Sequence, residues 1–421
     1  MRKAVRLVSV AVALALAVAL VPSAYAQNPV KLVLWGGVSG QAETDAVNQV
    51  IANFNKVDPN VQAQFVVQSD MTTNLNKALA AGTPPDVFYV DSNDLANEIQ
   101  SGALVPIGDK IDNVSDFYPS LVQAFTVNGK FYCPPKDFST LALQINTDMM
   151  AAAGIKNPPT TWDELAADAK AMTTKDVAGF VENTDVARWL AWLYAAGGSV
   201  TDDNFTKMTI NSPEGTAALK AWTDLFVGGN AKKSADVGAG WPGDAFEKGK
   251  AAMTAEGNWI LGDAKKNAPN LKYVSAPLPA GPKGQATMAF TVCYGVAAAG
   301  KNIDAATKLA NFLVNPDSMK VVTETLGVMP SRQSLATEWL AKFPEQKVYL
   351  DGAKYAHRWG FVPGFNAVND DINKQIDLVE AGSETVADAL AEIEKTGNDV
   401  LSKFNASKGG AGASATMAAT Q

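Results

Sequence analysis

The chain has 421 residues, 47% of them hydrophobic and 19% charged, with 35 Lys+Arg against 43 Asp+Glu and a formal net charge of −8. An acidic balance of this size excludes nucleic acid and anionic membrane as principal partners. A single histidine, His357, leaves neither a histidine-based catalytic triad nor a multi-histidine metal site to build, and neither a metal nor a cofactor is expected.

The chain starts Met1-Arg2-Lys3-Ala4-Val5-Arg6, and residues 7–21 form an apolar run broken only by Ser9, leading to Pro22-Ser23-Ala24-Tyr25-Ala26. A basic start, a short apolar core and small residues at Ala24 and Ala26 read as a secretory signal peptide, residues 1–26, cleaved after Ala26. The run is shorter than the roughly 20 apolar residues that cross a bilayer. No cysteine stands at the cleavage point to carry a lipid, so a free periplasmic protein is expected.

About 380 residues remain between leader and tail, more than one hydrophobic core usually supports, and two domains are expected. Residues 31–35 are a short apolar strand ending at Gly36-Gly37; Val47, Val50, Ile51, Phe54 and Val57 recur at helical spacing until Asp58-Pro59. Val61, Ala63, Phe65 and Val67 alternate with polar residues as a strand does, residues 71–81 read as a helix closed by Gly82, and residues 86–90 as another strand. This alternation predicts an α/β fold with a mostly parallel sheet. It resumes after an apolar stretch at 141–146: Thr161 and Glu164 have capping-box spacing ahead of a helix with Trp162, Leu165, Ala169 and Met172 on its buried face, and Ser212-Pro213 opens another over Ala218, Ala221, Trp222 and Leu225. The small, featureless stretch 408–421 reads as a disordered tail. Cys133 and Cys293 are the only cysteines, either one bridge or two buried thiols.

Several segments, in order, resemble the extracellular solute-binding proteins of the maltose-binding, family 1 type. They are Ala80-Ala81-Gly82-Thr83-Pro84-Pro85-Asp86-Val87, Gln100-Ser101-Gly102-Ala103-Leu104-Val105-Pro106, Phe131-Tyr132-Cys133-Pro134 through Asn146-Thr147-Asp148-Met149, and Pro158-Pro159-Thr160-Thr161-Trp162-Asp163-Glu164-Leu165. Further along come Ala196-Gly197-Gly198-Ser199, Gly249-Lys250-Ala251-Ala252-Met253 with Gly257-Asn258-Trp259, Ala276-Pro277-Leu278-Pro279-Ala280-Gly281-Pro282 and Met329-Pro330-Ser331-Arg332. Gln144-Ile145-Asn146 departs from the Tyr-Asn usual at the crossover but keeps the asparagine. The resemblance implies a periplasmic-binding-protein-like fold: an N-terminal lobe of residues 27–138 plus 295–332, a C-terminal lobe of 139–294 plus 333–407, and crossing hinge segments. It implies the binding component of an ABC importer, monomeric, with a sugar as ligand and membrane permease subunits as partners. It also brings Cys133 and Cys293 near the crossovers, where they could bridge.

Sugars need aromatic plates and forked polar groups, and loops beyond the carboxyl ends of strands are where α/β sheets collect ligands. The candidates are Trp35, Gly37 and Ser39 after the first strand, Asp91, Ser92 and Asn93 after the third, and Asp137 and Ser139 before the crossover. The second lobe offers Asp185, Arg188, Trp189, Trp241, Trp259, Arg358, Trp359 and Phe361. Trp162, Trp192, Trp222 and Trp339 read as core. Alternatives are a glycerol phosphate, polyol or polyamine cargo on the same fold, or a secreted carbohydrate-active hydrolase using two carboxylates. The glycines at 238, 240 and 243 and the 243–250 segment only superficially match nucleotide loops, because no clear strand precedes the first and Ala251 stands where the second needs Ser or Thr.

Overall fold

A computed structural model describes residues 29–37 and 41–418, and the side chains of all of these up to residue 406. The expected signal peptide and Ser39 lie outside the described residues. Ten strands carry the argument: β1 (Val30–Gly36), β2 (Val61–Val67), β3 (Val87–Asp91), β4 (Pro135–Asn146), β5 (Ala178–Val181), β6 (Ala231–Lys232), β7 (Ala251–Gly257), β8 (Tyr273–Ala276), β9 (Thr287–Ala297) and β10 (Ala356–Arg358). They form one continuous path, β2-β1-β3-β9-β4-β7-β5-β6, with β8 against β4 and β10 against β9.

The first three pair in parallel, as βαβ alternation requires: Leu34 sits opposite Phe65 of β2 and Val87 of β3. Between β1 and β2 runs α1 (Gln41–Val57), which ends where Asp58-Pro59 removes a donor; α2 (Met71–Ala80) follows β2 and is capped by Asp70, which accepts from Thr73 N at 3.0 Å. The apolar face of α1 meets Leu32, Leu34, Tyr294 and Val296 in one core, while Leu75 of α2 packs with Phe88, Val90 and Cys293 in a smaller cluster beside it. After β3 comes the short α3 (Leu95–Gln100).

A second core forms around Leu143, Ile145, Phe180, Trp189, Trp222 and Met253, supplied by α4 (Trp162–Met172), α5 (Val186–Ala196) and α6 (Pro213–Val227). Thr161 caps α4 by accepting from Glu164 N at 3.3 Å, but Glu164 returns to Thr160 N and Oγ1, both at 2.7 Å, instead of closing the box on Thr161. Ser212 caps α6 through Gly215 N at 3.0 Å with Pro213 in the first turn. Trp222 and Trp192 meet edge to face at 4.9 Å, and both belong to the core as expected.

The two long antiparallel strands join the lobes. Their pairing runs from Thr140 opposite Ala289 to Pro135 opposite Cys293. Beyond it, β9 continues against β3 and β4 continues against β7 and β8. Each strand therefore belongs to both lobes, and a small cluster of Leu121, Phe138, Ala142, Met329, Trp339 and Tyr349 packs at this passage. Leu335, beyond the expected boundary at 332, packs into the first core. Cys133 and Cys293 are joined, their Cα atoms 5.5 Å apart, beside the register shift between Val292 and Cys293.

Further helices include α7 (Trp259–Asn267), α8 (Ile303–Leu313), α9 (Pro316–Leu326) and α10 (Asn366–Glu380). Then α11 (Val386–Ala418) continues through most of the stretch from Lys408 that composition marks as a tail; its alanines favour helix while its glycines oppose it. No helix among the described residues is long and apolar enough to cross a membrane.

Candidate functional site

Where β9 passes between the lobes it carries Phe290, opposite Ser139 of β4. Trp259 meets Phe290 edge to face at 5.5 Å and 86°, and Trp359 does so at 6.0 Å and 88°. Trp259 is 37% exposed, the most open of the nine tryptophans. Its ring lies across Gly257, where any Cβ would strike it. The result is a row of three aromatic rings at the crossover, with an indole at each end.

The loop after β3 faces this row. Ser92 is buried and donates its N–H to Thr291 O at 3.3 Å. A Cβ on Gly360, the residue after Trp359, would stand 3.0 Å from Ser92 O, so a side chain there would press on the backbone of the facing loop. Two buried polar atoms here have no partner, Oδ1 of Asn93 and Nε1 of Trp359, an acceptor and a donor available to a ligand.

Beside them Asp91, Asp94 and Glu98 line a cavity of about 250 Å³ together with Gly37. Asp91 is open to solvent at the cavity mouth but walled by protein elsewhere. Burial, then the Asp94 carboxylate, push it from 3.8 up to about 6. The same two causes push Glu98 from 4.5 up to about 7, and burial raises Asp94. No group of three or more His, Cys, Asp or Glu among the described residues could hold a metal ion.

On the second lobe Arg188 gathers three acids. Its Nε lies 3.2 Å from Glu182 Oε1, its Nη2 lies 2.7 Å from Glu256 Oε2, and its Nη1 pairs with Asp185. Asp185 also caps α5, accepting from Ala187 N at 2.8 Å. Trp259 Nε1 donates to Glu256 Oε2 at 3.0 Å, while Glu256 Oε1 has no partner. Burial opposes the charge of Arg188, yet the Glu182, Glu256 and Asp185 carboxylates outweigh it and hold the guanidinium above its ordinary value. Burial raises Glu182 and Glu256 against the pull of Arg188.

The family model for bacterial extracellular solute-binding proteins matches residues 49–348. The chain belongs to that family. The diacetylchitobiose binding protein DasA of Streptomyces coelicolor is 24% identical over 360 residues, 83% of this chain and 83% of that protein. The galactooligosaccharide-binding protein of Bacillus subtilis is 24% identical over 382 residues, 87% and 88% of the two chains. The crystal structure of the cyclic alpha-maltosyl-1,6-maltose binding protein from Arthrobacter globiformis is 25% identical with a TM-score of 0.79, covering 89% of this chain and 99% of that one. These matches show the two-lobed α/β fold, and this solute-binding protein is a binding protein rather than an enzyme.

The geometry of this solute-binding protein removes Trp189 from the expected site and gives several of the other expected residues packing or hydrogen-bond partners. Trp189 is fully buried in the second core and reaches no cleft, because it lies on the face of α5 that packs into that core. Asp137 turns inward to Lys136, which also meets Glu43 at 2.9 Å; burial opposes the lysine charge, and Asp137 and Glu43 hold it above its ordinary value. Ser139 is buried and accepts from Asn258 N at 3.1 Å, fastening the crossover. Trp241 packs on the second lobe and covers Gly243, which explains that glycine without a nucleotide. Trp35 lies against the first lobe with Met71 and Leu79.

Gly37, Asp91, Ser92, Asn93, Arg188, Trp259 and Trp359 border the crossover as described. Arg358 and Phe361 line a neighbouring cavity of about 430 Å³ with Ser92, Leu95 and Phe205, and Phe361 stacks on Phe365 at 4.3 Å. Sequence reasoning missed Phe290, Asp94, Glu98, Glu182 and Glu256. For the last two a signal exists: each is a lone carboxylate at or just past the end of an otherwise uncharged strand, Ala178–Val181 or Ala251–Gly257, where α/β sheets place ligand groups.

Proposed function

We propose that this protein is the sugar-binding component of a bacterial ABC importer, exported to the periplasm with its leader cleaved after Ala26. It acts as a monomer that closes over an oligo- or disaccharide and delivers it to the membrane permease. One observation carries the reading: the Trp259, Phe290 and Trp359 row, flanked by the unpartnered Trp359 Nε1 and Asn93 Oδ1. Indoles offer flat apolar faces to sugar C–H groups, and the free donor and acceptor suit hydroxyls. The relatives named for diacetylchitobiose, galactooligosaccharide and a cyclic maltosyl-maltose support the same class.

Both lobes are needed on energetic grounds. A micromolar Kd is about −8 kcal/mol, while a neutral hydrogen bond nets roughly 0.5–1.5 kcal/mol and association itself costs several. One wall offers too few contacts, so closure is what gathers enough of them, and the closed form is the shape a permease can select.

The acidic cavity of Asp91, Asp94 and Glu98 favours a second reading, a cationic cargo such as a polyamine; for the same reason a glycerol phosphate fits poorly. A thermal-shift panel of sugars, polyols, phosphate esters and polyamines separates them. A ligand at 100 times its Kd adds about 2.7 kcal/mol. Stabilisation by a polyamine and by no carbohydrate would sink the sugar reading.

A further inference from the structure

We propose that Glu256 is a positioning residue: it fixes the Trp259 indole across the cleft, and Arg188 fixes Glu256 in turn. The inference rests on the sugar-binding reading and names the device that orients its stacking plate. Trp259 stands at the first position of α7 and is 37% exposed. An indole so placed would lose rotamer freedom on gripping a ligand, at a cost in affinity.

Three contacts remove that freedom beforehand. The ring lies flat over Gly257, Phe290 meets it edge to face at 5.5 Å, and its N–H donates to Glu256 Oε2 at 3.0 Å. Of these, only the hydrogen bond fixes rotation within the plane. Glu256 is itself fully buried, and the oxygen that holds the indole also takes Arg188 Nη2 at 2.7 Å. Arg188 is anchored by Glu182 at the end of β5 and by Asp185 at the cap of α5. A line of charge-assisted contacts thus runs from two rigid elements to the edge of the plate.

Both donors use Oε2 and leave Oε1 without a partner. A carboxylate present only to neutralise Arg188 would have no need to turn this oxygen to the indole. The orientation is explained when the acid serves the tryptophan as well as the arginine.

The test is a double-mutant cycle read by calorimetry, using the oligosaccharide that the wild type binds best from the thermal-shift panel. E256A is expected to weaken binding about tenfold, while E256Q, which keeps an oxygen for the indole, loses roughly threefold or less. In W259F, which has no N–H, E256A adds almost nothing, because the two residues act through one interaction. A full tenfold loss in the W259F background overturns the proposal, as does E256Q falling as far as E256A. If the alanine variant does not fold, E256M fills the volume without an acceptor and replaces it.

The ligand-free protein gives a separate readout. Trp259 emission, taken as the difference between each protein and its W259F counterpart, is expected to become more accessible to acrylamide in E256A or E256M and not in E256Q. Unchanged accessibility overturns the positioning role whatever binds. A freed indole in E256A, beside a wild type that binds no sugar, sinks the sugar reading and leaves the positioning intact.

Discussion

On the first-lobe wall of the crossover, Asp91, Asp94 and Glu98 share a cavity and form no ion pair among the described residues. On the second-lobe wall Glu182 and Glu256 are wholly buried around Arg188. Desolvation acts on both sets of acids. It raises the proton affinity of both, pushing Asp91 to about 6 and Glu98 to about 7; on the second wall Arg188 pulls against it and aims two carboxylates with a single guanidinium. The first wall can change charge near neutrality, whereas the second holds its shape.

The largest expected break in this comparison is R188A. It strands two buried carboxylates without their cation, and chemical denaturation should show a loss of about 3–5 kcal/mol. Retention of full stability would mean that both acids are protonated at neutral pH. Next is the cross-link, which ties the loop entering β4 to the first-lobe half of β9 across 160 residues, while the second lobe has none. The C133S/C293S double variant should lose about 2–4 kcal/mol in the same assay.

W259A addresses the second wall alone. Removing the exposed plate should cost about 2 kcal/mol of ligand affinity by calorimetry, with little change in denaturation midpoint. An equal loss in stability would mark the indole as packing and not as a binding surface.

The smallest effect is on pH dependence. Burial raises Asp91 and Glu98, so the folded chain keeps protons there that the unfolded chain releases. Their stabilising contribution is complete below the ordinary values of 3.8 and 4.5 and is lost as pH rises through about 6 for Asp91 and about 7 for Glu98. D91N and E98Q should therefore raise Tm at about pH 8 and not at about pH 4, modestly because the cavity is open to water. A variant that gains equally at both values would exclude titration of that acid as the cause.

Much of the scaffold could be read from local pattern alone. The βαβ alternation, the Thr161 and Ser212 caps, and the core places of Trp192, Trp222 and Trp339 follow from period and capping chemistry, which act within a few residues. The two ends of the aromatic row, Trp259 and Trp359, are likewise candidates from sequence, the first following Gly257-Asn258 and the second standing with Arg358 near Phe361. Phe290 between them could not be found this way, since its place depends on β9 pairing with β4 across 151 positions of chain, Ser139 to Phe290. Trp189 erred in the opposite sense: Arg188 faces the network, while the next side chain, about 100° further round the helix, points into the core. Sequence by itself determined the element types, the caps and the inventory of rings and acids. Tertiary structure alone decided which of these meet, because charge partners, unpartnered atoms and the exposure of one indole are set by strands brought together from distant parts of the chain.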